Sequence, residues 1–193
     1  AIAEKLDEPI TTVWGQMFLA LVLAEREDAT AQQESERLAQ SVIHSIGEQS
    51  YYAAFAFAAH SGCLLARRDI PQAEERARRA LAILKPLRSS APLGYLALGR
   101  VLLVSGRVQE AIEVLEEGIA LIDSLHGTGG SELPIRLLLW DALETIGNKQ
   151  RAAQAEAEYT KQLEQRALDI STLDLQVAFR ERYARKNARR ILY

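Results

Sequence analysis

The amino-acid sequence predicts an all-α protein built from stacked helix hairpins, and three observations lead to this fold class. Apolar residues recur at the three- and four-residue spacing of packed helices along most of the chain. Glycine and proline number 11 and 5 among 193 residues, so few positions remain for the tight turns of an all-β protein. A helix–turn–helix pattern also repeats about every 40 residues, which is typical of helical solenoids whose units bury their apolar faces against one another.

Four hairpins and a final helix follow one another within a single predicted domain, residues 1–193. We place the hairpins at about 8–47, 50–87, 91–126 and 131–168, and the final helix at about 172–191. The first hairpin has the weakest pattern, with helices near 8–26 and 29–46. Glycine, proline and serine residues separate the hairpins at 47–50, 86–92 and 126–131, where Ser90 is a candidate N-cap.

The third hairpin has the clearest pattern. Residues 93–104 are apolar nearly all round a helix, which predicts burial on several faces. Residues 108–122 are amphipathic, and Gly106 lies in the turn between the two segments, where a helix C-terminus favours glycine. Aligning the small residue after each turn sets the register of the repeat: Ala73, Ala111 and Ala152, spaced by 38 and then 41 residues.

Composition and charge narrow the class of protein. Hydrophobic residues make up 48% of the chain and charged residues 25%, with a formal net charge of −3, which is typical of a packed domain and not of a disordered segment. The single cysteine, Cys63, excludes an internal disulfide and favours a reducing, cytoplasmic location. No apolar run reaches the ~18–20 residues of a membrane span. Neither a secretion signal nor an initiator methionine opens the chain, so we expect a domain of a longer protein.

The residues at the packing positions of the hairpins resemble the tetratricopeptide repeat (TPR). In the third hairpin these positions hold Tyr95, Leu98, Gly99 and Leu102, then Ala111, Leu115 and Gly118. In the second they hold Phe57, His60, Ser61, Leu64, Ala73, Ala77 and Ala80. The fourth departs further, with Trp140 where the family has a small residue. The resemblance implies a right-handed superhelix, an α-solenoid of about four hairpins plus a capping helix, whose first helices line a concave groove.

The final helix carries a second, narrower resemblance. Ala178-Phe179-Arg180-Glu181-Arg182, followed by Asn187-Ala188-Arg189, is similar to the closing helix of repeat domains in bacterial multidomain signalling proteins. In those proteins a serine/threonine kinase or signal-transduction ATPase module precedes the repeats. Residues 183–186 replace the middle of that motif, including its proline. The resemblance implies a regulatory or scaffold domain of a larger signalling protein.

The TPR geometry also implies the positions that line the groove. They are Phe55, Ala58, Leu65, Leu96, Arg100, Leu103, Asp141 and Glu144. The expected occupant is a segment of a protein partner or of another copy of the chain in a homodimer; the alternative is a small ligand, which would make the domain a sensor for a tethered catalytic module. Because the three leucines would form an exposed apolar patch, we expect a dimer, a bound segment or the chain's own ends to cover it.

The C-terminal segment has the one strong charge asymmetry. Residues 180–193 contain six basic residues and one acidic residue, a net charge of 6 − 1 = +5. Such a cluster can bind nucleic acid, but the apolar stripe Leu175, Phe179 and Tyr183 favours a cap on the open end of the hairpin array. We therefore expect Phe179 and Tyr183 to be buried against residues 155–163, with the arginines toward solvent and some paired with Glu156, Glu158 or Glu164. Neither nucleic acid nor a membrane is an expected partner.

No set of residues predicts catalysis. His44, His60 and His126 lie on three different hairpins, and Cys63 near His60 adds only a second ligand where a zinc site needs about four. Residues 127–130 lack the strand and the Gly-Lys-Ser/Thr of a phosphate-binding loop and are predicted to be a linker. We expect no enzyme activity, no cofactor and no metal.

Overall fold

The computed structural model describes residues 9–26, 28–125 and 129–185, and within them it contains nine α-helices, one short 3-10 turn and no strand. The helices are α1 (Pro9–Ala24), α2 (Ala29–Ile46), α3 (Tyr51–Ala66), α4 (Ile70–Leu84), α5 (Ala91–Val104), α6 (Val108–Ser124), α7 (Glu132–Thr145), α8 (Lys149–Leu168) and α9 (Leu173–Tyr183). The 3-10 turn at Gly129–Ser131 precedes α7. The prediction of an all-α protein is confirmed.

Each helix packs against the next one along the chain, and the packing has a regular order. Helices α1, α3, α5 and α7 are the first helices of four hairpins, and each of the first three contacts the first helix of the following hairpin. The second helices α2, α4 and α6 pack between the first helix of their own hairpin and that of the next. Helix α9 packs on α8. The first helices therefore lie side by side along one side of the array.

Three of the turns inside hairpins have the same backbone geometry. Arg68, Gly106 and Gly147 have φ angles of 63°, 78° and 72°, in the left-handed region that ends many helices. In each turn the N–H of the following residue donates a hydrogen bond to the carbonyl oxygen five residues earlier, with N–O distances of 2.9 to 3.0 Å. The pairs are Asp69 to Leu64, Arg107 to Leu102 and Asn148 to Leu143. The spacings of 38 and 41 residues between equivalent positions match the predicted register.

Arg68 occupies a position that the other two hairpins give to glycine. A side chain in the left-handed region strains the backbone, so Arg68→Gly is expected to raise the free energy of unfolding by up to about 1 kcal/mol. Gly106→Ala, at the equivalent turn, is the matched control and is expected to lower it by about 1 kcal/mol, although nothing lies within 4 Å of the added Cβ. Urea unfolding of the two variants measures both changes; destabilisation by Arg68→Gly would contradict the backbone argument.

Small residues allow the helices to approach closely, as the register predicted. Ala73 and Ala111 are completely buried. A Cβ built on Gly99 would lie 2.5 Å from a methyl of Leu115, and one built on Gly118 would lie 2.5 Å from a methyl of Ile135. These overlaps show that α5, α6 and α7 meet at distances that only glycine permits at these two positions.

Two predictions about helix ends hold only in part. Ser90 occupies the N-cap position of α5, as predicted, but its hydroxyl makes no capping bond; it lies 2.9 Å from the Tyr51 hydroxyl, which links α3 to the start of α5. The final helix was predicted to run to about residue 191, but α9 ends at Tyr183, where Ala184 has an extended backbone with ψ of 133°, and Arg185 is helical again. Residues 186–193, which include Asn187, Ala188 and Arg189 of the resembling motif, lie outside the described residues.

The two terminal helices are the least covered. On α1, Trp14, Phe18 and Val22 expose 46%, 49% and 60% of their surface, and on α9 Leu173 exposes 70%. The central hairpins instead bury nearly continuous apolar clusters between their helices. Among the described residues, no helix combines the length and the apolar character required to cross a bilayer.

Candidate functional site

The predicted groove residues lie on the three first helices α3, α5 and α7, and we call the surface that they line the first-helix groove. Their burial differs. Ala58, Leu65 and Asp141 are buried, Phe55, Leu96, Arg100 and Leu103 are half-buried, and Glu144 is exposed. Leu96 and Leu103 pack against the apolar clusters between the hairpins. The three leucines therefore do not form a fully exposed patch in the single chain.

Helices α1, α3 and α5 come close together beside Arg100. A Cβ built on Gly62 of α3 would lie 3.7 Å from the Cβ of Ala24, at the end of α1, and 3.9 Å from Nη1 of Arg100. These are ordinary van der Waals distances, so the Arg100 guanidinium lies beside Gly62 and the end of α1 at this end of the first-helix groove. The part of the groove on α7 has a different chemistry.

On α7, Trp140, Asp141 and Glu144 hold the guanidinium of Arg185. Nη2 of Arg185 lies 2.8 Å from Oδ1 of Asp141, and Nη1 lies 3.0 Å from Oε1 of Glu144. The guanidinium carbon is 3.7 Å from the centre of the Trp140 ring, in cation–π geometry. We call Trp140, Asp141 and Glu144 the guanidinium pocket. With Arg185 in place, Trp140 and Asp141 are 6% and 5% exposed, so the guanidinium covers a ring and a carboxylate that are otherwise enclosed by the protein.

The electrostatics of the guanidinium pocket favour a charged arginine. Burial disfavours the charge on Arg185, but hydrogen bonds to Glu144 and Asp141 outweigh this effect, and the pKa of Arg185 is raised. Charge-assisted hydrogen bonds of this kind are among the stronger polar contacts in proteins. The pocket therefore favours a cation, because the attraction of two carboxylates exceeds the cost of partial burial.

A second contact fixes the chain just before Arg185. The Tyr159 hydroxyl of α8 donates to the carbonyl oxygen of Tyr183 at 2.5 Å. Burial raises the pKa of Tyr159, so this hydroxyl stays protonated and remains a donor at neutral pH. Together with the extended backbone at Ala184, this bond directs the Arg185 side chain onto α7 and away from solvent.

The C-terminal segment also reaches the first hairpin. Arg182 lies 2.9 Å from Glu25, which follows α1. Arg182 and Arg185 are only three residues apart, at most about 11 Å of extended chain. Because Arg182 pairs with the residue that follows α1 and Arg185 pairs with α7, the C-terminal segment contacts both the first and the fourth hairpin.

This arrangement confirms part of the predicted cap and corrects the rest. Phe179 and Tyr183 are half-buried against the cluster that contains Ala155, Tyr159 and Leu163, and Arg180 pairs with Glu164 at 3.0 Å. Leu175, the third member of the predicted stripe, is 59% exposed. Arg185 was predicted to face solvent and instead enters the guanidinium pocket. A sequence signal existed, because an aromatic residue and two carboxylates lie together on α7 while the net charge of the tail is strongly positive.

Within the part of the chain that the structure describes, the histidine and cysteine side chains lie apart from one another or in ordinary packing contacts. Among residues 9–26, 28–125 and 129–185, no three His, Cys, Asp or Glu side chains could hold a metal ion together. Cys63 is buried beside Ser35, and burial raises the pKa of its thiol. His44 is exposed, and His60 is buried in contact with Glu36. His126 lies outside the described residues, as do two residues of the predicted linker, Gly127 and Thr128.

Comparisons with protein-family models, with curated proteins and with solved structures returned no match.

Proposed function

We propose that this chain is a protein-interaction domain, a regulatory scaffold within a larger cytoplasmic signalling protein, whose first-helix groove binds an arginine-bearing segment. In this proposal the hairpins form a right-handed TPR-like superhelix, and the groove is its concave side. The occupant is a segment of a protein partner or of another copy of the chain. The chain's own C-terminal segment occupies the same place when no partner is bound.

The observation that supports this proposal is Arg185 in the guanidinium pocket. A planar guanidinium between two carboxylates and an indole ring is a specific recognition geometry, because the donors of arginine match carboxylate oxygens and its face stacks on an aromatic ring. The occupant comes from a terminal segment connected through an extended residue, Ala184. A partner that presents an arginine in the same way can replace it without rearranging α7.

The contacts that hold the tail are weak enough for a competing segment to displace it, as a regulated site requires. Arg182 with Glu25 and Arg180 with Glu164 are ion pairs between largely exposed side chains, which contribute about 0–1 kcal/mol each. Helix α9 itself buries no residue completely. The tail is therefore held mainly by Arg185 and by the half-buried Phe179 and Tyr183, which a competing segment can displace.

A peptide-binding measurement tests the proposal. The probe is a labelled synthetic peptide with the sequence of residues 178–190, added to the full chain and to its Arg185→Ala variant. We expect saturable binding to Arg185→Ala with at least a tenfold higher affinity than to the unchanged chain, in which Arg185 competes for the pocket. Fluorescence anisotropy at about 0.1 M salt measures both affinities, since weaker ionic screening would exaggerate surface attraction.

Two controls separate the pocket from general charge attraction. Adding Asp141→Asn and Glu144→Gln to the Arg185→Ala variant is expected to abolish binding, whereas adding Glu113→Gln, an exposed carboxylate of α6, is expected to leave it unchanged. The same peptide with alanine in place of its Arg185 is also expected not to bind. Equal affinities for the unchanged chain and Arg185→Ala, or binding insensitive to the Asp141 and Glu144 substitutions, would contradict the proposal.

A further inference from the structure

A cleft of about 480 Å³ opens on another side of the array, between α2, α3 and α4. Its lining residues are Gln40, Ile43, His44, Glu48, His60 and Arg76. His60 lies on α3 two residues after the groove residue Ala58, a rotation of about 200° around the helix. The cleft is therefore separate from the first-helix groove, and its volume is within the usual range of small-molecule sites.

Two buried nitrogen atoms in the cleft have no hydrogen-bond partner among the described residues. They are Nδ1 of His60, whose residue is 5% exposed, and Nε of Arg76. Buried polar atoms are nearly always hydrogen-bonded in folded proteins, and a buried donor without an acceptor is energetically unfavourable. Both atoms belong to side chains that line the same cleft. Nδ1 of His60 becomes a second donor beside Nε of Arg76 when the imidazole is protonated.

Most of the charges around the cleft are paired with one another. Glu36 binds Arg67 at one end, where it also accepts from Nε2 of His60 at 3.3 Å. Glu48 binds Arg79 at the other end, at 2.5 Å. The guanidinium of Arg76 stacks 5.4 Å from the Phe57 ring, and neither carboxylate pairs with it. Arg67 and Arg79 are thus each neutralised by a neighbouring carboxylate, Arg79 also by Glu75 at 3.9 Å, and Arg76 is the cation of the cleft with which an anion can pair.

We propose that this cleft binds the carboxylate or phosphate group of a small organic anion between Arg76 and His60. Nε of Arg76 donates to one oxygen of the anion, and its permanent charge supplies the electrostatic attraction. Nδ1 of His60 donates to a second oxygen. The cleft is larger than a bare oxyanion, so the remaining volume, bounded by Ile43 and Gln40, accommodates the body of the ligand.

The chemistry of His60 couples anion binding to proton uptake. Neutral His60 donates to Glu36 through Nε2, which leaves Nδ1 as a lone-pair acceptor; only the imidazolium form donates from both nitrogens. Burial and the charge of Arg76 lower the pKa of His60 in the empty cleft, while Glu36 opposes and Arg67 adds to this effect. His44, Glu48 and Arg79 are the other ionisable groups around the cleft. A bound anion stabilises the imidazolium and raises the pKa of His60 above its lowered value in the empty cleft. Affinity therefore increases as the pH falls from the pKa of the occupied cleft toward that of the empty cleft, which lies below the ordinary histidine value.

The test uses sulfate as the phosphate-like probe, because its charge is constant between pH 6 and pH 8, and acetate as the carboxylate probe. Titrations of the full chain at constant ionic strength, followed by NMR of the His60 ring, are expected to show saturable binding of at least one probe and a raised His60 pKa. His60→Gln assigns the resonance. Which probe binds more tightly decides between a phosphate and a carboxylate ligand.

Matched variants identify the site. Arg76→Gln is expected to weaken binding at least tenfold, whereas Arg78→Gln, on the same helix but 50% exposed and paired with Glu74, is expected to change it less than twofold. His60→Gln, with binding followed by calorimetry, is expected to remove the pH dependence of the affinity. Circular dichroism checks that each variant is folded. Absence of saturable binding of either probe to the unchanged chain, equal weakening by Arg76→Gln and Arg78→Gln, or an unchanged pH dependence in His60→Gln would each overturn the proposal.

Discussion

Gly94→Ala is expected to lower the free energy of unfolding by about 1–3 kcal/mol, the range typical of overpacked cores. The added Cβ would lie 2.7 Å from the Cα of Leu81 and 3.1 Å from its Cβ. Because the nearest atom belongs to the backbone of α4, no side-chain rotation relieves the overlap. Helices α4 and α5 must move apart, and the second hairpin packs against the third through this contact.

Gly15→Ala is the matched control, since it makes the same chemical change in the interior of another helix. Gly15 of α1 is exposed, and nothing lies within 4 Å of an added Cβ. Alanine favours the helix over glycine by about 0.5–1 kcal/mol, so this variant is expected to be more stable than the unchanged chain. Urea unfolding of both variants measures the two changes. If both changed stability in the same direction, the close approach of α4 and α5 would be refuted.

Arg185→Glu is expected to lower the free energy of unfolding by about 1–3 kcal/mol, because it introduces a third carboxylate beside Asp141 and Glu144 and removes the guanidinium from the Trp140 ring. This reverses the expectation for a solvent-facing arginine, whose substitution would change stability little. The side chain of Arg185 is 26% exposed and that of Asp141 is 6% exposed, so water screens the repulsion only partly.

Arg182→Glu makes the same charge reversal three residues earlier and serves as the control. Its ion pair with Glu25 joins side chains that are 54% and 43% exposed, so the expected change is below about 1 kcal/mol. Thermal unfolding at low and moderate salt distinguishes the two variants. Added salt is expected to reduce the loss of stability caused by Arg182→Glu by a larger fraction than the loss caused by Arg185→Glu, because exposed charges are screened more strongly. Equal, small effects of both reversals would place Arg185 outside the guanidinium pocket.

Binding at each of the two proposed sites is expected to be affected by different substitutions. Arg185→Glu changes the first-helix groove and leaves the cleft around His60 and Arg76 intact, so sulfate or acetate binding is expected to be unchanged. Arg76→Gln alters the cleft and leaves the guanidinium pocket intact. Loss of peptide binding and loss of anion binding are therefore separable results, and each proposal can fail without the other.

The local pattern of the sequence determined the helices, the hairpins and the turns between them. Apolar spacing placed the helix at 29–46, and the small residues Ala73 and Ala111 marked the register that Arg68, Gly106 and Gly147 share in their backbone angles. These features depend on interactions within about five residues, such as helix hydrogen bonds and left-handed C-terminal turns, so local sequence contains the information for them.

The tertiary structure alone decided where the tail and the buried charges lie. Tail charge and apolar spacing were both visible in the sequence, but whether Arg185 faces solvent or α7 depends on the extended backbone at Ala184 and on the Tyr159 bond to Tyr183. The cleft of His60 and Arg76 likewise combines residues from three helices. Such contacts join positions between 24 and 157 residues apart. Their geometry depends on how successive hairpins stack, because a small rotation at each interface accumulates along the array and sets which distant side chains meet.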